Sequence, residues 1–500
     1  MPETFKHTFD TAVFKGDVSV PLGLYIDGKW VDGANNTTID VINPTTGKTF
    51  TKIAEGTPKD VDTAVAAAHK AFETVWGLNT TGSDRSRLMH KLADLMEANG
   101  DRLAALESLD NGKTFHFAKN TDVEHAVACI RYYAGWADKI LGQVIETSEA
   151  KLCYTRHEPI GVVGQIIPWN FPLVMMIWKI GPALATGCAI VMKPSEFTPL
   201  TALLMSQLIH EAGFPPGVFN LVNGYGGVVG QAISEHPRIE KVAFTGSTLV
   251  GRKIMEAAAK SNLKNVTLEL GGKSPTIVFD DADLDQAVKW AAFGIYFNHG
   301  QTCSAGSRIF VQEGIYDEFL KRFTEHTKTL KVGDPFNPEN FQGPQVSQQQ
   351  YDRIMGYIDS GKEQGATLHL GGSRVGNEGY FITPTIFTDT KPNMKIVKEE
   401  IFGPVCVVIK FKDDADVVVQ ANDSVYGLAA SVFSQNLTRA ISTAHKLQAG
   451  TVWVNNYNML HPNVPFGGYK QSGIGRELGE YALSNYTTTK AVQVNLHIKI

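Results

Sequence analysis

Cysteine is scarce and scattered in this 500-residue chain: Cys129, Cys153, Cys188, Cys303 and Cys406 are its five, and no two form a CxxC pair. The spacing suggests neither a disulfide framework nor a zinc site and gives no reason to expect a metal. Runs of one charge are missing as well. Lys and Arg total 46 against 51 Asp and Glu, and the net charge of −5 has no basic stretch or acidic tail behind it. Neither nucleic acid nor an anionic membrane surface therefore has an electrostatic footprint here. The longest apolar stretch, FPLVMMIW at 171–178, is cut by Lys179 and Gly181 and is far short of the ~20 residues that cross a bilayer. No arginine precedes Arg85, Glu3, Asp10 and Asp17 stand early, and residues 1–30 lack a basic stretch followed by an apolar core. The expectation is no leader, a cytoplasmic location and small-molecule chemistry, with Asn-x-Ser/Thr triplets such as Asn79-Thr80-Thr81 as chance matches.

What is present is ordinary globular composition, 43% hydrophobic and 19% charged, in a chain long enough for two or three domains. Residues 57–150 read largely helical, opening on a Thr cap and carrying apolar positions three to four apart. From 159 the pattern changes to short β-prone runs alternating with helices: IGVVGQII, CAIVMKP, VFNLVNG, KVAFTGS, VTLELGG and PTIVF. That alternation implies a mostly parallel, doubly wound α/β sheet. A second series, with a helix at about 283–297, then SRIFVQE, VCVVIKF and GTVWVNN, implies a second α/β domain. The β-prone pieces at about 140–159 and 485–500 belong to neither, and 333–348 reads as a long loop.

Several constellations bear on chemistry. NGYGGVVG at 223–230 gives Gly224, Gly226 and Gly230 a GxGxxxG spacing, one residue off the dinucleotide fingerprint, and reads equally as a turn. In FTGSTLVG a β run ends at Gly246-Ser247 where a helix starts, exposing backbone N–H groups to an anion. VMKPSE puts Lys193 and Glu196 just beyond a strand, where open α/β sheets bind ligands, although an exposed ion pair is the plainer reading. PWNFP brackets Asn170 between prolines, either a rigid turn or a side-chain amide poised for an oxyanion. Glu269 in VTLELGG sits among leucines, so it is on a wet face or held with a raised pKa as a general base. Cys303 in the Gly-rich GQTCSAGSR loop reads as a reachable nucleophile rather than a core cysteine, with His299 as its local partner in a hydrolase-type pair.

Together PWNFP, KPSEFTP, FTGS, LELGGKSP, GQTCSAGSR, EEIFGPV and PFGGYKQSGIGRELG resemble the NAD(P)-dependent aldehyde dehydrogenase superfamily, in that family's order; YIDGKW, INPTTGK and DNGK fit the same pattern. The resemblance implies Cys303 as nucleophile, Glu269 as base, Asn170 as oxyanion donor, and Lys179 with Glu477 as a proton relay. It implies Ile166, Trp169, Lys193, Glu196, Gly226, Gly246, Ser247, Gln350, Glu400 and Phe402 as the cofactor contacts, with NAD favoured over NADP by the Glu196 carboxylate. Phe171, Trp178, Asn458, Leu460 and Phe466 are implied to line the substrate tunnel; Asn458 stands where an acid is common and Leu460 where an aromatic is.

The implied fold is α/β: a Rossmann-like cofactor domain (1–139 and 160–271), an α/β catalytic domain (272–484) and a small β oligomerisation arm (140–159 and 485–500). A homotetramer, a dimer of dimers, is expected. The implied reaction oxidises an aldehyde to the acid through a cysteine thiohemiacetal and thioester resolved by water. The alternatives are a CoA-acylating relative, a cysteine-dependent esterase using His299, and a structural protein that keeps the fold without activity.

Overall fold

Short runs of aliphatic and β-branched residues build the centre of the molecule, which the computed structural model describes over residues 2–500. Val162–Ile166, Ala189–Lys193 and Phe219–Leu221 lie side by side in that order, and Lys241–Thr245 and Asn265–Glu269 extend the sheet on the other side of Val162–Ile166. All four pairings are parallel. The strand order therefore reverses between Val162–Ile166 and Lys241–Thr245, the place where such sheets open a crevice for ligands. A hairpin, Leu24–Ile26 and Lys29–Val31, adds to one edge, and Gly473–Ile474 adds antiparallel to the other beside Leu268 and Glu269.

A second sheet of seven strands runs Thr367–Leu370, Thr385–Thr388, Val405–Phe411, Arg308–Gln312, Pro275–Val278, Ala429–Phe433 and Thr451–Val454, parallel except at its first pair. Pro275–Val278 follows Asn265–Glu269 after a few residues. The segment from Glu269 to Ser274 thus links the two sheets, and the cavity opens there. A third sheet, Thr487–Asn495, Lys151–Pro159 and Val144–Ser148, is antiparallel, and Val144–Ser148 is exposed along its whole length.

The helical reading of 57–150 holds only as far as Ala134. Helix Pro58–Thr74 opens on Thr57 with a capping box to Asp60, and Gly82–Ala98, Gly100–Asn111 and Glu124–Ala134 follow. Beyond Gly135 the chain turns into strand Val144–Ser148, paired with Lys151–Pro159, within the piece that reads β-prone from about 140. Three hairpins lie between residues 4 and 54, and in Lys15–Pro21 and Thr38–Asn43 the buried residues alternate as in a half-buried strand. In Thr4–Asp10 the buried residues are Phe5 and Phe9, four apart, a spacing that a helix would share.

Candidate active site

Helix Leu284–Tyr296 delivers the chain to the nucleophile loop, and three left-handed residues turn it there: Asn298 (φ 50°), His299 (φ 61°) and Gly300 (φ 71°). Left-handed non-glycine residues persist only where their surroundings hold them. Asn298 Nδ2 donates to the carbonyls of Asn170 (2.9 Å) and Gln301 (3.2 Å). A Cβ on Gly300 would sit 2.0 Å from the Gly403 carbonyl oxygen, so the close approach requires glycine.

His299 is not the partner of Cys303. Its Nδ1 donates to the Pro344 carbonyl (2.8 Å) and its Nε2 accepts from the Gly343 N–H (2.9 Å), so both ring nitrogens are engaged. Burial pushes the imidazole down to about 3. Its hydrogen bonds pin the turn and leave no lone pair for a thiol, which corrects the local hydrolase reading.

Cys303 instead faces a cavity of about 560 Å³ that Glu269, Asn170, Glu477, Trp169, Gly246, Ser247, Gln350, Glu400 and Phe402 also line. Phe171, Trp178, Asn458, Leu460 and Phe466 line the same cavity. Lys179, buried in the middle of helix Pro172–Thr186, lies just behind it, its Nζ 2.6 Å from both Glu477 Oε1 and Thr245 Oγ1. Ile166, Lys193, Glu196 and Gly226 are not in the cavity wall. Lys193 ends its strand and its Nζ meets Glu196 Oε2 at 3.1 Å, while Gly226 starts a π-helical turn after Phe219–Leu221.

Burial pushes the Cys303 thiol up to about 12, reinforced by the Glu269 and Glu400 carboxylates. Burial likewise holds Glu269 well above the usual carboxylate range; Glu477 adds to this, and Lys179 and Arg476 oppose it. The Oε2 atoms of Glu269 and Glu477 have no hydrogen-bond partner, which leaves both carboxylates with an acceptor free. Asn170 Nδ2 gives one hydrogen to the Gln301 carbonyl (2.9 Å); an amide nitrogen carries two, so the other remains for a ligand oxygen.

The glycine pair of LELGG is explained by space. A Cβ on Gly271 would lie 2.2 Å from Glu400 Oε2, and one on Gly272 would lie 2.4 Å from the Cys303 carbonyl oxygen. Glu400 Oε1 accepts from the Gly272 N–H at 2.9 Å, and burial pushes its carboxyl up to about 7. Trp169 and Phe402 stand edge to face at 5.2 Å near this end.

Sequence reading missed the polar wall made by Asn120, Asp122 and His125, and the apolar one made by Val174, Met175, Phe293 and Phe297. His125 Nε2 accepts from Trp178 Nε1–H at 2.9 Å, fixing that ring, and burial pushes His125 down to about 4. Nothing local distinguishes these residues from a helix surface or a core. Arg353, one turn after Gln350 on helix Gln348–Glu363, was visible only as its i+3 neighbour.

The Aldehyde dehydrogenase family model matches residues 30–492. The chain is 68% identical over 500 residues to an aldehyde dehydrogenase of Agaricus bisporus, covering 100% of both. It is 53% identical over 475 residues to the mitochondrial aldehyde dehydrogenase of Rattus norvegicus, covering 95% of this chain and 91% of that one. Among solved structures, the NAD+ complex of the Bacillus cereus aldehyde dehydrogenase matches with a TM-score of 0.94 at 51% identity, covering 95% of this chain and 97% of that one. The chain with Cys303, Glu269 and Asn170 around one cavity belongs to the aldehyde dehydrogenase family.

Proposed function

We propose that the chain oxidises an aldehyde to its carboxylic acid with NAD+ and water, Cys303 being the nucleophile, Glu269 the general base and Asn170 the oxyanion donor. The observation that carries this reading is the gathering of these three, from three separate segments, on one cavity.

The cofactor-side residues fit a dinucleotide. The Ser247 hydroxyl caps helix Thr248–Lys260 by accepting from Val250 N–H, which leaves the N–H groups of Thr248 and Leu249 without partners inside the helix and available to a pyrophosphate. Glu196 with Lys193 suits a ribose diol, and Glu400 and Phe402, near Trp169, suit the nicotinamide half; Gln350, which the resemblance puts on the adenosine side, donates to the Phe402 carbonyl at 2.7 Å and so suits the nicotinamide half instead, and Ile166 and Gly226 complete the adenosine side. When bound, NAD+ supplies the hydride acceptor and a positive charge beside the thiol.

The Cys303 thiol gives up its proton to water, and the thiolate so formed adds to the aldehyde carbon, forming a C–S bond as the C=O π pair moves to oxygen. The Asn170 amide and the Cys303 backbone N–H hold that oxyanion. Collapse of the thiohemiacetal releases a hydride and leaves a Cys303 thioester. Water attacks the thioester carbon, Glu269 takes its proton, and the C–S bond breaks to free the acid and the thiolate. Glu477 and Lys179 then carry the proton onward from Glu269. Phe171, Trp178 and Phe466 exclude water along the substrate path, Trp178 and Phe466 meeting at 5.4 Å.

Glu269 must be deprotonated to act, and its pKa is raised in part by Glu477. Glu477→Gln removes a like charge, so the acid limb of kcat against pH is expected to move to lower pH; a limb that stays or rises contradicts the assignment. Glu196 favours NAD over NADP, since two unit charges at ~4 Å interact by roughly 1 to 4 kcal/mol. Glu196→Gln is expected to raise the NADP to NAD ratio of kcat/KM about tenfold, and wild-type kinetics equal or better with NADP would overturn the preference.

We further propose the domain division 1–139 with 160–271, 272–484, and 140–159 with 485–500, the last as an arm of a homotetramer. Val144, Ile145, Leu152 and Val494 leave apolar surface on that arm exposed. Sedimentation is expected to give the mass of four chains; the mass of one at working concentration refutes it. A cytoplasmic location belongs to the same proposal, supported by five free cysteines, and cell fractionation separates it from the mitochondrion.

A further inference from the structure

The DNGK stretch at 110–113 takes no part in the chemistry above, yet it and Glu107 meet the segment carrying Asn170 at three places. Asn111 Nδ2 donates to the Trp169 carbonyl at 2.6 Å. Glu107 Oε2 accepts from the Leu173 N–H at 3.3 Å. Lys113 Nζ lies 4.0 Å over the Phe171 ring. These contacts fall on the residues before and after Asn170, whose own side chain and carbonyl bond to the nucleophile loop on the other side.

Pro168–Pro172 needs such help. It has no ladder of its own, its two prolines lack N–H donors, and helix Pro172–Thr186 starts without a side-chain cap from its own N-cap residue. Glu107 provides one from outside. The supporting side chains are themselves fixed: Glu107, Asn111 and Lys113 are buried, Asn111 Oδ1 accepts from the Lys113 N–H at 3.1 Å, and the Lys113 ammonium pairs with Glu107 Oε1 at 3.1 Å and with Asp122. Gly112 (φ 83°) ends helix Gly100–Asn111 and turns the chain so that Lys113 reaches the face of Phe171; a Cβ there would meet Pro344 Cγ at 2.7 Å.

We propose that Glu107, Asn111 and Lys113 are positioning residues, a cradle that holds Pro168–Pro172 so that the Asn170 amide meets the oxyanion and Phe171 meets the substrate. This rests on the reading of Asn170 as oxyanion donor. A misplacement of ~1 Å at a reacting centre costs about 100-fold in rate, so the cradle acts on kcat without touching substrate.

The test is a double-mutant cycle on the full-length enzyme with NAD+ and an aliphatic aldehyde. Asn111→Leu, near-isosteric, removes the donor to Trp169 while keeping the volume. It is expected to lower kcat about 10- to 100-fold, and Asn111→Leu with Asn170→Ala is expected to be no slower than Asn170→Ala alone. Losses that multiply, or wild-type kcat in Asn111→Leu, overturn the cradle. Wild-type kcat in Asn170→Ala overturns the oxyanion reading and the cradle with it. If Asn111→Leu does not fold, Lys113→Met enters the same cycle, with the same non-multiplying result expected and Lys113→Arg expected to restore turnover; multiplying losses or no restoration overturn the proposal.

Discussion

Cys303→Ala is expected to abolish aldehyde oxidation, with kcat falling about 10⁴-fold or more, the scale on which loss of a covalent nucleophile reads. Cys303→Ser is expected to fall nearly as far, because a hydroxyl in this half-buried, carboxylate-flanked position is harder still to ionise than the thiol that it replaces. The thiol is pushed up to about 12, so the resting group is protonated at neutral pH. The rate of iodoacetamide labelling at Cys303 is therefore expected to rise when NAD+ is added, its positive charge favouring the thiolate. The four remaining cysteines are buried, and labelling of wild type against Cys303→Ala isolates the one signal. Retained dehydrogenase turnover in Cys303→Ala contradicts the mechanism outright.

Glu269→Gln carries the second large effect, about 10²- to 10⁴-fold in kcat, as removal of a general base does. The amide keeps the shape of the side chain but cannot take a proton from water. Thioester formation survives and its hydrolysis does not, so a rapid-mixing experiment is expected to show a burst approaching one NADH per site followed by a near stop. Full steady turnover removes Glu269 from the role of base. A loss of burst and steady rate together places it in the first half of the reaction instead. The same variant separates the CoA-acylating alternative: an enzyme of that kind resolves its thioester with CoA and has no need of a carboxylate here. Acid release from wild type without CoA decides between them.

Much of the site was legible because its members end strands or sit in glycine-flanked turns. Glu269 closes Asn265–Glu269, and Ser247 caps the helix after Lys241–Thr245; strand ends after apolar runs are visible in a string of letters. Most strands of the two sheets were legible for the same reason, as short aliphatic runs, while Thr367–Leu370, Thr385–Thr388 and Ala429–Phe433 went unread. His299 shows the limit. Its four-residue separation from Cys303 made it the obvious partner, and only the left-handed turn, which sends its ring to Pro344 and Gly343, shows otherwise. Asp122 and His125 were illegible because they come from a helical segment whose contact with the cavity is set by packing alone. Strand Thr4–Asp10 was illegible because Phe5 and Phe9 fit two periods equally, whereas the alternation of Val18 with Val20 and of Ile39 with Val41 was there to be read and went unread.

The acyl-enzyme itself is the most direct test of the central claim. Glu269→Gln is mixed with NAD+ and an aldehyde RCHO, quenched in acid, digested, and the peptide containing Cys303 is weighed. The mechanism predicts that this peptide gains RCO in place of the thiol hydrogen, that the gain requires NAD+, and that hydroxylamine removes it. An unmodified Cys303 peptide after NADH has been formed, or the acyl group on any other residue, would contradict it.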